Sequence, residues 1–156
     1  MDLVLWRHAE AFDLTGQEDA VADLARELTP RGAKQAARMA AWLDRQLPES
    51  AKIFASPALR ADQTVRTLSR KFKTRSELSP AAQYADLLNV AQWPGSDVTV
   101  LLVGHQPSLG ALIAHLLHFE EEQCAVKKGA VWWLRTRERN GQLETVVVTV
   151  QTPEYL

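Results

Sequence analysis

The chain alternates between short apolar runs and longer stretches in which apolar residues recur every three or four positions. The runs at 3–6, 53–55 and 98–103 have the length and composition of strands that are buried on both faces of a sheet. The stretches between them have the period of helices that pack one face against a sheet. This alternation predicts an α/β fold with a mostly parallel central sheet and helices on both faces.

Proline marks the predicted start of three helices, because its fixed φ suits the first turn. Thr29 and Pro30 predict the N-cap and first residue of a helix that ends before Pro48. Ser56 and Pro57 predict the same start for a helix that runs to about position 72, and a third helix opens after the last apolar run. We expect a long loop with a short helical stretch at 10–27. A short edge strand is expected at 74–80 and a further helix at 82–91.

The C-terminal part of the chain has only strand patterns. Two β-rich runs, 130–134 and 144–150, flank an Asn-Gly dipeptide of the kind found in tight hairpin turns. They predict an antiparallel hairpin at the edge of the sheet. Trp132 and Trp133 fall on opposite faces of the first strand, so we expect one in the core and the other over a helix.

Composition and charge narrow the class of protein. The 156 residues, 46% hydrophobic and 24% charged, contain no repeat or linker, so we expect one domain over 1–156. A net charge of −1 offers no basic field for nucleic acid or a membrane surface. The single cysteine, Cys124, excludes an internal disulfide, and no apolar run approaches the ~20 residues of a membrane span. Because Arg7 and Glu10 interrupt any leader-like apolar stretch, we expect a cytoplasmic protein.

Polar residues follow three of the predicted strands at the point where each strand ends. Arg7 and His8 follow the first strand, Ser56 and Arg60 follow the second, and His105 follows the strand at 98–103. The carboxyl ends of parallel strands meet at one edge of a sheet, where α/β proteins bind ligands. Histidines, arginines and helix N-termini at one edge favour an anion, and the arginine fork matches phosphoryl oxygens. The residues therefore predict a phosphoryl-binding site.

Four short motifs contain these residues, and their order along the chain is highly specific. They are Arg7-His8-Ala9, Leu28-Thr29-Pro30-Arg31-Gly32, Ser56-Pro57-Ala58-Leu59-Arg60-Ala61-Asp62-Gln63-Thr64 and Val103-Gly104-His105. The set resembles the histidine phosphatase superfamily and, within it, the SixA-type phosphohistidine phosphatases. The resemblance extends from Leu3 to the C-terminal hairpin. It implies a three-layer, phosphoglycerate-mutase-like fold.

The resemblance also implies a role for each matched residue. His8 is expected to be the nucleophile that becomes phosphohistidine, with Arg7 and Arg60 holding the phosphoryl oxygens and His105 completing the pocket. A neutral imidazole nucleophile divides hydrolysis into two easier steps. Phosphoryl transfer requires mainly positioning and charge stabilisation, which the arginines supply, so no metal or other cofactor is expected.

Three further residues are expected to bind substrate, and one departs from the family pattern. Arg26 and Asp23 match an arginine and an acidic residue of the SixA-like pattern, and Gly104 lies in the last motif. The family usually has glycine after the nucleophile, where this chain has Ala9. Since alanine resists positive φ, the local turn is expected to differ slightly while activity is kept.

The general acid of larger relatives, a glutamate after the third strand, has no clear match here. Glu77 and Asp86 are the nearby candidates. An alkoxide leaving group needs a proton from the enzyme, whereas imidazole, with a pKa near ~6.5, leaves already protonated or nearly so. The missing acid therefore favours cleavage of a P–N bond, and a chain too short for a lid domain suits a side chain presented by another protein.

We therefore predict a phosphohistidine phosphatase that acts on a phosphorelay or phosphotransfer protein and accepts phosphate or other anions in its pocket. The main alternative is a small-molecule phosphomonoesterase of the same superfamily. A third hypothesis is a non-catalytic phosphoryl-binding module. The intact motif residues argue against it. A metallohydrolase with His8 and His105 as ligands lacks a carboxylate partner. His115 and His118 are spaced to touch a metal, but a solvated helix face is favoured.

Overall fold

A six-stranded sheet forms the centre of the computed structural model, which describes residues 1–14, 16 and 19–156. The strands are β1 (Asp2–Arg7), β2 (Lys52–Ala55), β3 (Lys73–Thr74), β4 (Val100–Gly104), β5 (Val131–Arg139) and β6 (Gln142–Gln151). Their order is β3-β2-β4-β1-β5-β6, parallel from β3 to β1 and antiparallel from β1 to β6. The predicted parallel sheet with an antiparallel hairpin at its edge is confirmed. Positions 15, 17 and 18 of the predicted 10–27 loop lie outside the described residues.

Five α-helices accompany the sheet in the described part of the chain. They are α1 (Ala20–Leu24), α2 (Pro30–Gln46), α3 (Leu59–Arg66), α4 (Tyr84–Ala91) and α5 (Ser108–Leu116). Alternate residues of β1 serve two cores: Val4 and Trp6 pack with α2 and α3, whereas Leu3 and Leu5 pack with α4 and α5. The predicted helices on both faces are confirmed. None of the described helices has the length and apolar composition needed to cross a membrane.

The tryptophans of β5 occupy opposite faces, as the strand period predicts. Trp133 is buried in the first core and meets Trp42 of α2 edge to face, with ring centroids 6.3 Å apart. Its Nε1 donates to Asp2 Oδ2 at 2.9 Å. Trp132 is half-buried against the core under α4 and α5. The exposed ends of β5 and β6 meet at a turn in which Asn140 has a φ of 52°.

The first turn of α2 packs against Glu10, in the segment that follows β1. Thr29 is the N-cap, as predicted, and its Oγ1 accepts from the Gly32 amide at 2.9 Å. A Cβ at Gly32 would lie 1.9 Å from the carbonyl oxygen of Glu10, so only glycine allows this approach. The Thr29 hydroxyl also donates to Glu10 Oε2 at 2.7 Å. These contacts fix the chain two residues after His8.

The predicted helix from Pro57 to about position 72 is wrong at both ends. Its predicted cap, Ser56, is instead buried against the His105 ring, and helix α3 begins three residues later. At the other end Ser69 adopts a left-handed φ of 56°, which cannot continue a helix. The edge strand predicted at 74–80 is also too long. The chain leaves β3 after Thr74 and enters a 3₁₀ turn, which buries Leu78 in the second core.

Candidate active site

Three neighbouring parallel strands, β2, β4 and β1, end at one edge of the sheet and place their polar residues there. Arg7 of β1 lies opposite Gly104 of β4, and the His8 amide donates to the Gly104 carbonyl at 3.1 Å. On the other side of β4, the Ser56 amide donates to the carbonyl of Val103 at 3.0 Å. The structure thus brings the ends of β1, β2 and β4 together, as the sequence predicts.

His8 follows β1 at this edge of the sheet and is buried, with only 5% of its surface exposed. Its Nδ1 is 2.7 Å from the carbonyl oxygen of Ala9. Because a carbonyl can only accept, Nδ1 carries the proton and Nε2 has a free lone pair. Burial lowers the pKa of His8 to about 3, with the Ala9 hydrogen bond opposing and Arg60, Arg7 and Arg26 reinforcing the shift. His8 is therefore a neutral imidazole with its nucleophilic nitrogen free at neutral pH.

His105 faces His8, with ring centroids 5.1 Å apart. It is 2% exposed, and its Nε2 lies 2.7 Å from Ser56 Oγ. Burial lowers the pKa of His105 to about 2, and the nearby arginines, together with the charge that His8 carries once it is protonated, reinforce the shift. The second histidine is neutral as well, so the positive charge of the site resides on its arginines.

Arg7 and Arg60 are both anchored through their terminal nitrogens. Arg7 Nη1 donates to the carbonyl of Val126 at 2.7 Å. Arg60 is 3% exposed, and its Nη1 and Nη2 donate to the carbonyl and Oδ2 of Asp23 at 2.8 and 3.2 Å. These anchors fix both guanidinium planes while leaving each Nε unengaged.

Three residues of this site each have a buried nitrogen without a hydrogen-bond partner in the described part of the chain. Within the described residues, three buried side-chain nitrogens have no hydrogen-bond partner: Arg7 Nε, Arg60 Nε and His105 Nδ1. All three belong to residues that the motifs singled out. Buried polar groups are normally satisfied, so three such nitrogens around one histidine indicate a site built for a ligand with several acceptor oxygens. A phosphoryl group has such oxygens.

Comparison with known proteins agrees with this geometry. The sequence model of the histidine phosphatase superfamily, branch 1, matches residues 3–87, more than half of the chain. Phosphohistidine phosphatase SixA of Escherichia coli K12 is 30% identical over 124 residues, which cover 74% of each protein. The chain belongs to the histidine phosphatase superfamily. It is a phosphatase, and the SixA-type resemblance of its motifs is confirmed.

Solved structures bear out the fold. A protein histidine phosphatase SixA complexed with tungstate has a TM-score of 0.74 to this chain at 25% identity, over 99% of each chain. A phosphoserine phosphatase from Entamoeba histolytica, in complex with 3-phosphoglyceric acid, has a TM-score of 0.70 at 18% identity, over 97% of this chain and 96% of that one. The second likeness concerns the fold alone. The expected phosphoglycerate-mutase-like fold is confirmed.

Asp23 and Arg26, expected to bind substrate, form the outer support of Arg60. Asp23 Oδ1 accepts from Arg26 Nε at 3.0 Å, and Arg26 Nη1 donates to the carbonyl of Phe12 at 3.0 Å. Burial raises the pKa of Asp23, but Arg60 and Arg26 outweigh it and the pKa is lowered. Asp23 is thus ionised and holds the Arg60 guanidinium in place. Gly104 meets the site through its carbonyl, which holds the His8 amide.

The two candidate acids are engaged elsewhere in the structure. Asp86 Oδ2 accepts from the Gln83 amide at 2.9 Å and completes the capping box of α4. Glu77 lies in the 3₁₀ turn, with Oε2 2.6 Å from Arg75 Nη2. Neither carboxylate contacts the residues of the site in these interactions.

The motifs contain two residues whose part in the site the sequence analysis did not identify. The sequence predicts a helix cap at Ser56, whereas in the structure its hydroxyl contacts the His105 ring. Thr64 Oγ1 accepts from the Ala9 amide at 3.1 Å and donates to the Arg60 carbonyl at 2.7 Å, which ties the His8 turn to α3. The signal was their place in the 56–64 motif, whose polar residues other than Asp62 hydrogen-bond to residues distant in sequence, whereas Asp62 pairs with Arg66 in the same helix turn.

Proposed function

We propose that this phosphatase hydrolyses phosphohistidine on a partner protein through a phosphorylated His8 intermediate. The observation that carries the proposal is the group of three buried, unpaired nitrogens beside a neutral His8. A neutral imidazole with a free Nε2 is a competent nucleophile at neutral pH. The surrounding N–H groups and guanidinium charges suit the phosphoryl oxygens, where charge accumulates during transfer.

The proposed reaction has two displacement steps. In the first, the substrate ring carries a proton, taken from solvent, on its unphosphorylated nitrogen. The lone pair of His8 Nε2 attacks phosphorus, the P–N bond breaks with its electron pair going to the substrate ring, and the ring leaves as neutral imidazole. Arg7, Arg60 and His105 hold the three equatorial oxygens during this transfer. In the second, water attacks the phosphorus of phospho-His8, loses a proton to the solvent and releases inorganic phosphate. His8 returns to its neutral form.

The choice of phosphohistidine over an alkyl ester rests on the leaving group. The carboxylate nearest the arginines, Asp23, has a lowered pKa and two ion-pair partners. Asp86 caps a helix, and Glu77 pairs with Arg75. An ionised Asp23 cannot protonate an alkoxide, and the other two carboxylates are engaged away from the site. The substrate histidine needs no acid from the enzyme, because its ring takes a proton from solvent near its ordinary pKa of ~6.5 and then leaves as neutral imidazole. The E. coli relative is itself named a phosphohistidine phosphatase.

The test is a comparison of kcat/KM for two substrates of the same enzyme. One is a phosphotransfer protein phosphorylated on histidine with phosphoramidate, and the other is an alkyl phosphomonoester such as 3-phosphoglycerate. We expect the phosphohistidine protein to be favoured. His118→Ala, a change at an exposed histidine of the same chain, is the matched control for loss of activity in His8→Ala. A ratio that favours the alkyl ester would replace the proposal by a small-molecule phosphomonoesterase.

A further inference from the structure

We infer that Ser56 is a positioning residue that holds His105 in its Nδ1–H tautomer, so that Nδ1–H donates a hydrogen bond to the phosphoryl group in transfer. This inference rests on the proposed function for its consequence in catalysis. The tautomer itself is a property of the resting protein. It follows from the hydrogen bonds available to one buried hydroxyl.

The Ser56 hydroxyl is fully buried and has two polar neighbours among the described residues. The Ala58 amide lies 3.1 Å from Oγ, and His105 Nε2 lies 2.7 Å from it. An amide N–H can only donate, so it occupies a lone pair of Oγ. The hydroxyl proton then has one acceptor within reach, the lone pair of Nε2. The reverse arrangement, with Nε2–H donating to Oγ, would leave the hydroxyl proton buried without an acceptor.

A neutral imidazole carries one N–H group, so a hydroxyl that donates to Nε2 places the proton on Nδ1. His105 Nδ1 is buried and has no other partner within the described residues. As an N–H it joins Arg7 Nε and Arg60 Nε as the third donor of the site. The opposite tautomer would turn a lone pair toward the phosphoryl oxygens and repel them.

The two histidines then share one tautomer for opposite purposes. The Ala9 carbonyl holds the proton on His8 Nδ1, which frees Nε2 to attack. The Ser56 hydroxyl holds the proton on His105 Nδ1, which makes that nitrogen a donor. A backbone acceptor and a side-chain donor, acting on different ring nitrogens, therefore produce a nucleophile and a donor from the same residue type.

Nitrogen-15 spectra of the resting protein test the tautomer directly, since they report which ring nitrogen of each of the four histidines is protonated. We expect Nδ1–H for His105 in the wild type, and the Nε2–H form to gain population in Ser56→Ala. Ser108→Ala is the matched control. Ser108 is also buried, but its Oγ donates to the His105 carbonyl at 3.1 Å and not to the ring. An Nε2–H tautomer in the wild type would overturn the inference.

Kinetics test the consequence. Ser56→Ala should lower kcat by about 10-fold to 10²-fold and leave KM within about two-fold, on the scale of weakening one transition-state donor. Ser56→Thr keeps a hydroxyl and should retain both the Nδ1–H form and most of the rate. Equal losses in Ser56→Ala and Ser108→Ala would mean that packing around His105, and not its tautomer, sets the rate.

The experiments would give different results if the proposed function were wrong. If the wild type cleaves no phosphohistidine protein, the proposed substrate is wrong, but the nitrogen-15 spectrum still decides the tautomer. Inorganic phosphate then serves as the probe of the donor. Wild type and Ser108→Ala should bind it more tightly than Ser56→Ala does, and equal affinity in all three would overturn the inference.

Discussion

Mild acid should destabilise the folded chain through its two site histidines. Both are neutral in the folded protein because burial, reinforced by nearby positive charge, lowers the pKa of His8 from 6.5 to about 3 and that of His105 to about 2. In the unfolded chain both return to the ordinary value. The unfolded state therefore binds more protons below pH 6.5, so the stabilising contribution of each neutral histidine is complete above that pH and is lost as the pH falls.

The magnitude follows from proton linkage. Between about pH 7 and about pH 5, a histidine that protonates only when unfolded costs roughly 2 kcal/mol of the free energy of unfolding. Any folded-state pKa well below 5 gives nearly the same cost, because the unfolded state does the titrating in this range. The two histidines together should remove about 4 kcal/mol, a large share of the 5–15 kcal/mol typical of a domain.

Urea denaturation at both pH values measures this loss. The wild type should lose about 4 kcal/mol, His8→Gln and His105→Gln about 2 kcal/mol each, and the double variant little from this source. Ser108→Ala, which removes no titrating group, should keep the wild-type pH dependence. If the double variant loses as much stability as the wild type, the neutral buried histidines are not the cause and the argument fails.

Three further predictions concern catalysis. Arg60→Lys should lower kcat/KM by about 10²-fold, because lysine keeps the charge but loses the planar fork that Asp23 orients; a near-neutral effect would mean that Arg60 does not touch the phosphoryl group. Activity should persist in EDTA because the arginines supply the positive charge, and a loss that one specific divalent metal restores would favour a metallohydrolase. Glu77→Gln and Asp86→Asn should each change phosphohistidine hydrolysis only a few-fold, since Glu77 pairs with Arg75 and Asp86 caps α4; a loss near ~10²-fold in either would identify a general acid.

The parts of the fold that follow from local pattern were predictable from the sequence. The apolar run before Arg7 is buried on both faces, and Thr29 with Pro30 starts α2, because periodicity and capping depend on neighbours along the chain. The ends of α3 were predicted wrongly because tertiary contacts decide them. Ser56 has the side chain of a helix cap, yet the His105 ring, 49 residues away, takes its hydroxyl.

In the active site, too, local pattern predicts some features and tertiary contacts decide the others. Strand ends placed the histidines together because parallel strands share one carboxyl edge. Asp23, which anchors Arg60 from 37 residues away, lies in the short helix α1, which has no buried residue and therefore no apolar periodicity to reveal its position. The direction in which each guanidinium points, and hence which nitrogens remain unpaired, therefore required the structure.

The most direct test of the central claim is to trap the covalent intermediate. Mixing the enzyme with a phosphohistidine protein labelled on phosphorus, followed by rapid denaturing quench and peptide mapping, should show label on His8 that is stable to base and lost in acid. His8→Ala should show no label and no turnover, whereas His118→Ala should behave as wild type. Wild-type turnover by His8→Ala, or label on another residue in the wild type, would contradict a phosphorylated His8 intermediate.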